Sequence, residues 1–125
     1  MKRITSNTGR IIYAVLFATF GINQFINAHD FVHYVPSFIP GGILWVYLIS
    51  VFLIAASISI ILKKYTKTTC LLLSLFLIVI VFTVHIPGLF NPDMMKISMI
   101  NLLKDTGLAG GGLILAGIFG ISEAE

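Results

Sequence analysis

The side chains best suited to chemistry in this chain are those of Asn101, Lys104 and Asp105. They precede a glycine-rich apolar stretch, residues 106–122, in a sequence of which only 10% is charged. Ionisable side chains at membrane depth are costly, and they normally face the interior of a helix bundle or a wet cavity. On a helix, Asn101 shares a face with Lys104 and Asp105, since these follow it by three and four residues. An amide, an ammonium and a carboxylate on one face could bind the polar part of a small molecule.

Lys104 and Asp105 are neighbours in the sequence, so they cannot pair squarely and each needs a partner from another helix. His85 is a candidate partner at the end of the third predicted helix, and Asn23 or Gln24 at the end of the first. We therefore predict one ligand-binding site made of Lys104, Asp105, Asn101, His85, Asn23 and Gln24. In this site Lys104 and His85 would donate hydrogen bonds to a carbonyl or an anion, and Asp105 and Asn101 would orient them. No residue is assigned a catalytic role.

Three interpretations of these polar residues stay open at the level of the sequence. In the first, they satisfy one another and hold the helix ends together, each contact contributing about 0.6 kcal/mol. In the second, they line a pocket that accepts a quinone, a lipid head group or another small ligand. In the third, they belong to a path for ions or protons.

The histidines and the cysteine offer weaker signals. His29 and His33 are four residues apart and Asp30 lies between them, so a helical turn there would present metal ligands. The connection is short and broken by prolines, so these histidines are weak candidates and no metal site is predicted. Haem needs an axial histidine deep in a bundle, whereas His85 comes at a helix end. Cys70 is the only cysteine, which excludes an intramolecular disulfide and a dithiol relay, and it suits the core as a small hydrophobe.

The elements that would position these residues are four membrane-spanning helices. The chain has 125 residues, 58% hydrophobic, with a mean hydropathy of +1.02. A soluble domain would carry about 25% charged residues. Four spans of about 20 residues fill most of this length. We predict an all-α, integral membrane four-helix transmembrane bundle that forms a single domain over residues 1–125, with helices at about 8–27, 42–62, 68–85 and 92–121.

Small residues recur at helical spacing and predict close packing between these helices. Ser50 and Ser57, seven residues apart, share one face of the second helix. The predicted small-residue stripes are Ala14, Ala18 and Gly21 in the first helix, and Gly107 with Gly111 and Gly112 with Ala116 and Gly120 in the fourth.

The turns between the helices also have sequence signatures. Residues 86–88, Ile-Pro-Gly, are predicted to stop the third helix. Asn91 is predicted to cap the fourth, with Pro92 in its first turn.

The basic residues predict how the bundle is oriented. Six of the eight fall at one end if there are four helices: Lys2, Arg3, Arg10, Lys63, Lys64 and Lys67. The positive-inside rule then places both termini and the 63–67 loop in the cytoplasm, and the six-residue site in the outer half. Since these bases flank apolar runs, the net charge of +3 does not indicate nucleic-acid binding.

Several of these residues stand in motifs that resemble those of DoxX-like (DoxX/DoxD) membrane proteins. Residues 21–25, Gly-Ile-Asn-Gln-Phe, are followed by residues 35–40, Val-Pro-Ser-Phe-Ile-Pro. In that family the first helix ends in a glycine, a polar residue and an aromatic, and a proline-rich loop leads into the second. Residues 85–87 and the pair Lys104–Asp105 resemble the end of its third helix and the start of its fourth. Many relatives carry histidine or lysine where this chain has Gln24, so a site that relies on ionisation there would be weakened or moved.

The resemblance implies a four-helix protein of the bacterial inner membrane. Some relatives are associated with quinone-linked sulfur oxidation or with membrane oxidoreductase complexes. The leading hypothesis is therefore a binding or accessory subunit of a quinone-linked redox system, with the bilayer, a quinone and an oxidoreductase complex as partners; a homo-oligomer is compatible with it. The alternatives are a structural or assembly protein, a small permease, or a quinone-dependent enzyme.

Whether the chain is an enzyme is left undecided by its sequence. It shows no dithiol, no haem pair and no flavin or nucleotide loop. No cofactor is evident, and a quinone is the one that the resemblance allows.

Overall fold

The protein folds as a set of α-helices, and the computed structural model describes residues 2–32, 35 and 39–124. The elements are α1 (Lys2–Ile26), α2 (Ala28–Phe31), α3 (Ile43–Ile61), α4 (Thr66–Ile80), a π-helical turn (Val81–His85), α5 (Ile86–Gly88) and α6 (Met95–Ala124). The described residues contain no β-strand. Four spans within these described ranges are long and apolar enough to cross a bilayer: Arg3–Ile26, Ile43–Ile61, Thr66–Gly88 and Met95–Gly120. The predicted all-α membrane bundle is confirmed.

Three helix ends differ from the sequence prediction. The third span continues to Gly88, because Pro87 lies in the first turn of α5, where its missing N–H is not needed. The fourth helix begins at Met95, because the Asn91 side chain accepts a hydrogen bond from the Asp93 N–H (3.0 Å) and closes a turn ahead of the helix instead of capping it. The first helix begins at Lys2, because residues 2–7 contain no helix breaker.

The helices pack most closely in two pairs, α1 with α3 and α4 with α6. Between α1 and α3, a Cβ on Gly21 would lie 2.8 Å from Ile54 Cγ1 and 3.0 Å from the Ser50 carbonyl oxygen, so the glycine permits the close approach. Ser50 and Ser57 are both buried, as their shared face predicted, and Ser57 Oγ donates to the Ala14 carbonyl (2.7 Å).

The second pair is held by the stripe that contains Gly112. A Cβ on Gly112 would overlap Ser74 Oγ of α4 and lie 2.8 Å from Tyr13 Oη of α1. Ser74 Oγ and Tyr13 Oη donate in turn to backbone carbonyls of α6, at 2.9 Å and 2.6 Å. Gly107 has no atom within 4 Å of its Cβ position. Close packing is thus confirmed at Gly112, whereas the prediction that Gly107 marks a close helix approach is wrong, since that side of α6 faces outward.

Candidate functional site

A cavity of about 580 Å³ lies between α1, α3, α6 and the span formed by α4 and the π-helical turn. It occupies the half of the bundle opposite the 63–67 loop, because its walls come from the C-terminal half of α1 and the N-terminal halves of α3 and α6. Its volume falls within the range of about 300–1,000 Å³ that is usual for small-molecule sites.

Most of the cavity wall is apolar and much of it is aromatic. Aliphatic side chains of α3 and α4 separate the rings. The aromatic lining residues are Phe17, Phe20, Phe31, Trp45, Phe52 and Phe76. Phe52 and Phe76 meet edge to face across the gap between α3 and α4, with their ring centroids 5.5 Å apart. Such a wall suits an apolar or aromatic ligand.

The polar lining is concentrated at one end of the cavity. All six residues of the predicted site line this cavity: Asn23, Gln24, His85, Asn101, Lys104 and Asp105. Three different spans bring them together. The six residues thus line one cavity, and their role as a ligand-binding site stays a prediction.

The π-helical turn determines where His85 lies. Leu77, Val81 and His85 are buried at spacings of four residues. In an α-helix each such step drifts about 40° around the axis. In the wider π turn the Ile86 N–H donates to the Val81 carbonyl. This turn compensates for the angular drift and keeps His85 on the inner face. Pro87 explains the turn, since it lacks an N–H for the carbonyl four residues back and its ring would clash there.

Asp105 is the centre of the polar end. Its Oδ2 lies 2.6 Å from His85 Nε2, and both residues are buried. Its Oδ1 lies 3.7 Å from Lys104 Nζ, the long and indirect pairing expected for sequence neighbours. The carboxylate therefore ties α6 to the π turn and fixes the His85 ring. Of the candidate partners that the sequence left open, His85 is the one that contacts Asp105.

Lys104 has a partner that the sequence did not suggest. Its Nζ lies 4.7 Å from the centroid of the Phe20 ring, in the geometry of a cation–π contact. Its side chain is 43% exposed, so the ammonium stays accessible at the cavity. Helical phase could have indicated this contact, because Phe20 and Gln24 are four residues apart on α1.

The amide side chains around the cavity keep part of their hydrogen-bonding capacity. Gln24 Nε2 donates to the Val46 carbonyl (3.0 Å), which leaves its Oε1 as an acceptor. Asn23 Oδ1 accepts from Asn27 Nδ2 (2.9 Å). Neither amide contacts Lys104 or Asp105 in the way that the sequence allowed. Asn101, half-buried at the wall, makes no side-chain hydrogen bond within the described residues.

His29 and Cys70, two of the weaker candidates, do not line this cavity. His29 is exposed on α2, and His33 falls outside the described residues. In the ranges that the structure covers, no group of three or more His, Cys, Asp or Glu side chains could hold a metal ion. Cys70 is fully buried in the core at the other half of the bundle, as expected for a packing residue.

The cavity reaches the outer surface of the bundle between α3 and α4. Leu48 and Val79 line it, yet they are 52% and 47% exposed. Thr83 on the π turn is also a lining residue with an exposed surface. Both helices are long and apolar enough to cross a membrane, so these exposed lining residues lie on the sides of two candidate spans.

The DoxX family model matches residues 7–86 of the 125. The matched region includes α1, α3, α4 and the π turn, and with them Asn23, Gln24 and His85. It ends before α6, so Asn101, Lys104 and Asp105 lie beyond it. No significant match was found among curated proteins or solved structures.

Proposed function

We propose that this chain, which belongs to the DoxX family of membrane proteins, binds a lipid-soluble molecule with a polar head group in the cavity, and that this molecule is a quinone. In this proposal the protein serves a membrane redox system as its quinone-binding or accessory subunit. The chain supplies the binding site, and the electron-transfer partner is a separate oxidoreductase.

The observation that carries the proposal is one cavity whose lining combines several aromatic side chains with the buried pair of His85 and Asp105 and the accessible ammonium of Lys104. A quinone ring fits between aromatic side chains, and its oxygens need hydrogen-bond donors or acceptors at one edge. The ammonium of Lys104 and the amide of Asn101 can donate to a carbonyl oxygen. Both groups lie at the cavity wall, and neither is fully engaged by the protein.

His85 adds a ring nitrogen that can bind the head group of the ligand. With its Nε2 proton shared with Asp105, its Nδ1 is an acceptor and suits the hydroxyl of a reduced head group. Asp105 is a positioning residue in this scheme, since it holds His85 by the 2.6 Å contact.

The test uses the single tryptophan of the chain, Trp45, which lines the cavity. A short-chain quinone analogue bound there should quench its fluorescence in a saturable way. Lys104→Met should weaken binding by about tenfold, the equivalent of one lost charge-assisted hydrogen bond of about 1.4 kcal/mol. Lys96→Met is the matched control, because Lys96 is an exposed lysine of the same helix that does not line the cavity. Unchanged affinity in Lys104→Met would remove the proposal.

The proposed location is the bacterial inner membrane, with both termini in the cytoplasm and the polar end of the cavity in the outer half. The orientation is supported by the positive-inside rule, because most of the basic residues lie at the opposite end of the bundle. A quinone in the membrane would then meet the site from the outer leaflet.

A structural role is the second candidate, and one contact favours it. The buried pair of His85 and Asp105 joins two spans and would hold them together without any ligand. The two functions predict different effects of Asp105→Asn. A ligand-binding role predicts a loss of ligand binding, and a structural role predicts a loss of the fold.

A further inference from the structure

A second cluster of charge lies at the end of the bundle away from the cavity. Its centre is Arg10, a buried residue of α1 whose Nη1 donates to the carbonyls of Ile60 (2.6 Å) and Ile61 (2.9 Å). These carbonyls end α3, where the helix dipole attracts a cation. The guanidinium carbon also lies 5.7 Å from the ring centroid of Phe119 on α6. The Nε of Arg10 is buried and has no hydrogen-bond partner.

One lysine of the 63–67 loop and one lysine of α4 pack against the same part of α6. Lys63 Nζ lies 5.4 Å from the ring centroid of Phe119. The backbone of Lys63 is left-handed (φ 59°), and so is the backbone of Tyr65 (φ 56°). Non-glycine residues seldom adopt this conformation. The stem of Lys67 passes over the next residue, since a Cβ on Gly120 would lie 2.7 Å from Lys67 Cδ.

We name Arg10, Lys63 and Lys67 the basic cluster. The three side chains come from three elements and lie against two adjacent residues of α6, Phe119 and Gly120. Among the side chains that the structure describes, none of the three forms an ion pair with an acid. The side chains of Glu123 and Glu125 are outside the described part of the structure. The groups that contact Arg10 are two backbone carbonyls and an aromatic ring, and none of these carries a net charge.

We infer that the basic cluster binds the phosphate group of an anionic phospholipid. The cluster lies at the ends of three membrane-spanning helices, the depth at which lipid phosphates are found, and Lys63 and Lys67 are exposed there. Basic pockets between helices bind anionic lipid head groups by this chemistry. The exposed lysines contact the phosphate, and Arg10 supplies a fixed positive field beneath it. The site does not depend on the cavity or its ligand.

Native mass spectrometry of the full chain in mixed micelles tests this inference. The probe is an equimolar mixture of phosphatidylglycerol and phosphatidylcholine, which differ in net charge. We expect the wild-type protein to retain phosphatidylglycerol preferentially. Lys63→Gln and Lys67→Gln should each reduce the ratio of the two retained lipids by about fivefold. Lys96→Gln, which removes an exposed lysine at the opposite end, should leave the ratio unchanged.

Each alternative outcome has a defined meaning. Equal retention of both lipids by the wild-type protein would overturn the inference. So would the same ratio in Lys63→Gln, Lys67→Gln and Lys96→Gln, since the preference would then come from overall charge. Millimolar inorganic phosphate should not displace the lipid, and displacement would overturn the lipid as ligand in favour of a free anion. All three lysines are exposed, so these variants should elute as the wild-type protein does in size-exclusion chromatography.

Discussion

Asp105 connects the structural and the ligand-binding interpretations of this protein. It is a buried carboxylate with His85 on one oxygen and Lys104 near the other. Removing the partner of a buried charge strongly destabilises the fold. Replacing the charged group by a neutral one of the same shape costs much less stability. The amide of asparagine has nearly the same shape and can still bond to the imidazole.

We therefore expect Asp105→Asn to keep the fold and to impair the site. The loss of a charge-assisted hydrogen bond should lower the free energy of unfolding by about 1–3 kcal/mol. Quinone affinity should fall by about tenfold, because His85 and Lys104 lose the carboxylate that orients them. Thermal unfolding by circular dichroism and Trp45 quenching on the same sample measure the two effects. Aggregated Asp105→Asn protein, with Lys104→Met binding normally, would favour the structural role.

Spacing in the sequence was enough to place Asn101, Lys104 and Asp105 on one face and to suggest His85 as a partner. It was not enough to find the Phe20 ring beside Lys104 or the Val46 carbonyl beside Gln24. Those contacts depend on how α1 is rotated against α6 and α3. A backbone carbonyl, moreover, is present at every position and leaves no signature in the sequence.

The π-helical turn is the element that the sequence failed to predict. A proline after an apolar run is typical of a helix end, and residues 86–88 were interpreted in that way. The helix continues because the turn widens before Pro87 and removes the clash. The position of His85 depends on this local irregularity, which hydrophobic periodicity does not encode.

Small residues at helical spacing predicted close packing without identifying which glycine makes it. Gly112→Ala should lower the free energy of unfolding by about 1–3 kcal/mol, because the added methyl overlaps Ser74 Oγ and crowds Tyr13 Oη. Gly107→Ala is the matched control, since its methyl meets nothing within 4 Å. We expect that variant to be neutral or slightly stabilised through helix propensity.

Unfolding temperatures in one detergent compare these two variants directly. Equal destabilisation would show that helix backbone effects, and not the contact at Gly112, set the stability of α6.

The bundle is asymmetric along its length. In one half Arg10, Ser57 and Ser74 donate hydrogen bonds to carbonyls of neighbouring helices. In the other half the helices surround the cavity. Composition alone was enough to predict four membrane-spanning helices. The cavity could not be predicted, because it results from how the pair α1–α3 is placed against the pair α4–α6.

The proposed orientation makes a prediction that single cysteines can check. Cys70 is fully buried and should contribute little background labelling. A membrane-impermeant maleimide should label Asn91→Cys in intact cells with a permeable outer envelope, because residue 91 lies in the exposed turn before α6. It should label Lys64→Cys only after the inner membrane is opened. The reverse pattern would place the basic end outside.

The central claim is that the cavity holds a quinone, and native mass spectrometry of protein purified in mild detergent tests it most directly. The absorption spectrum of the same sample identifies any bound chromophore. We expect a bound mass equal to a quinone of the host membrane, retained by Lys96→Met and lost from Lys104→Met. Protein that keeps its native lipids but carries no quinone, even after incubation with an excess of it, would show that the claim is wrong.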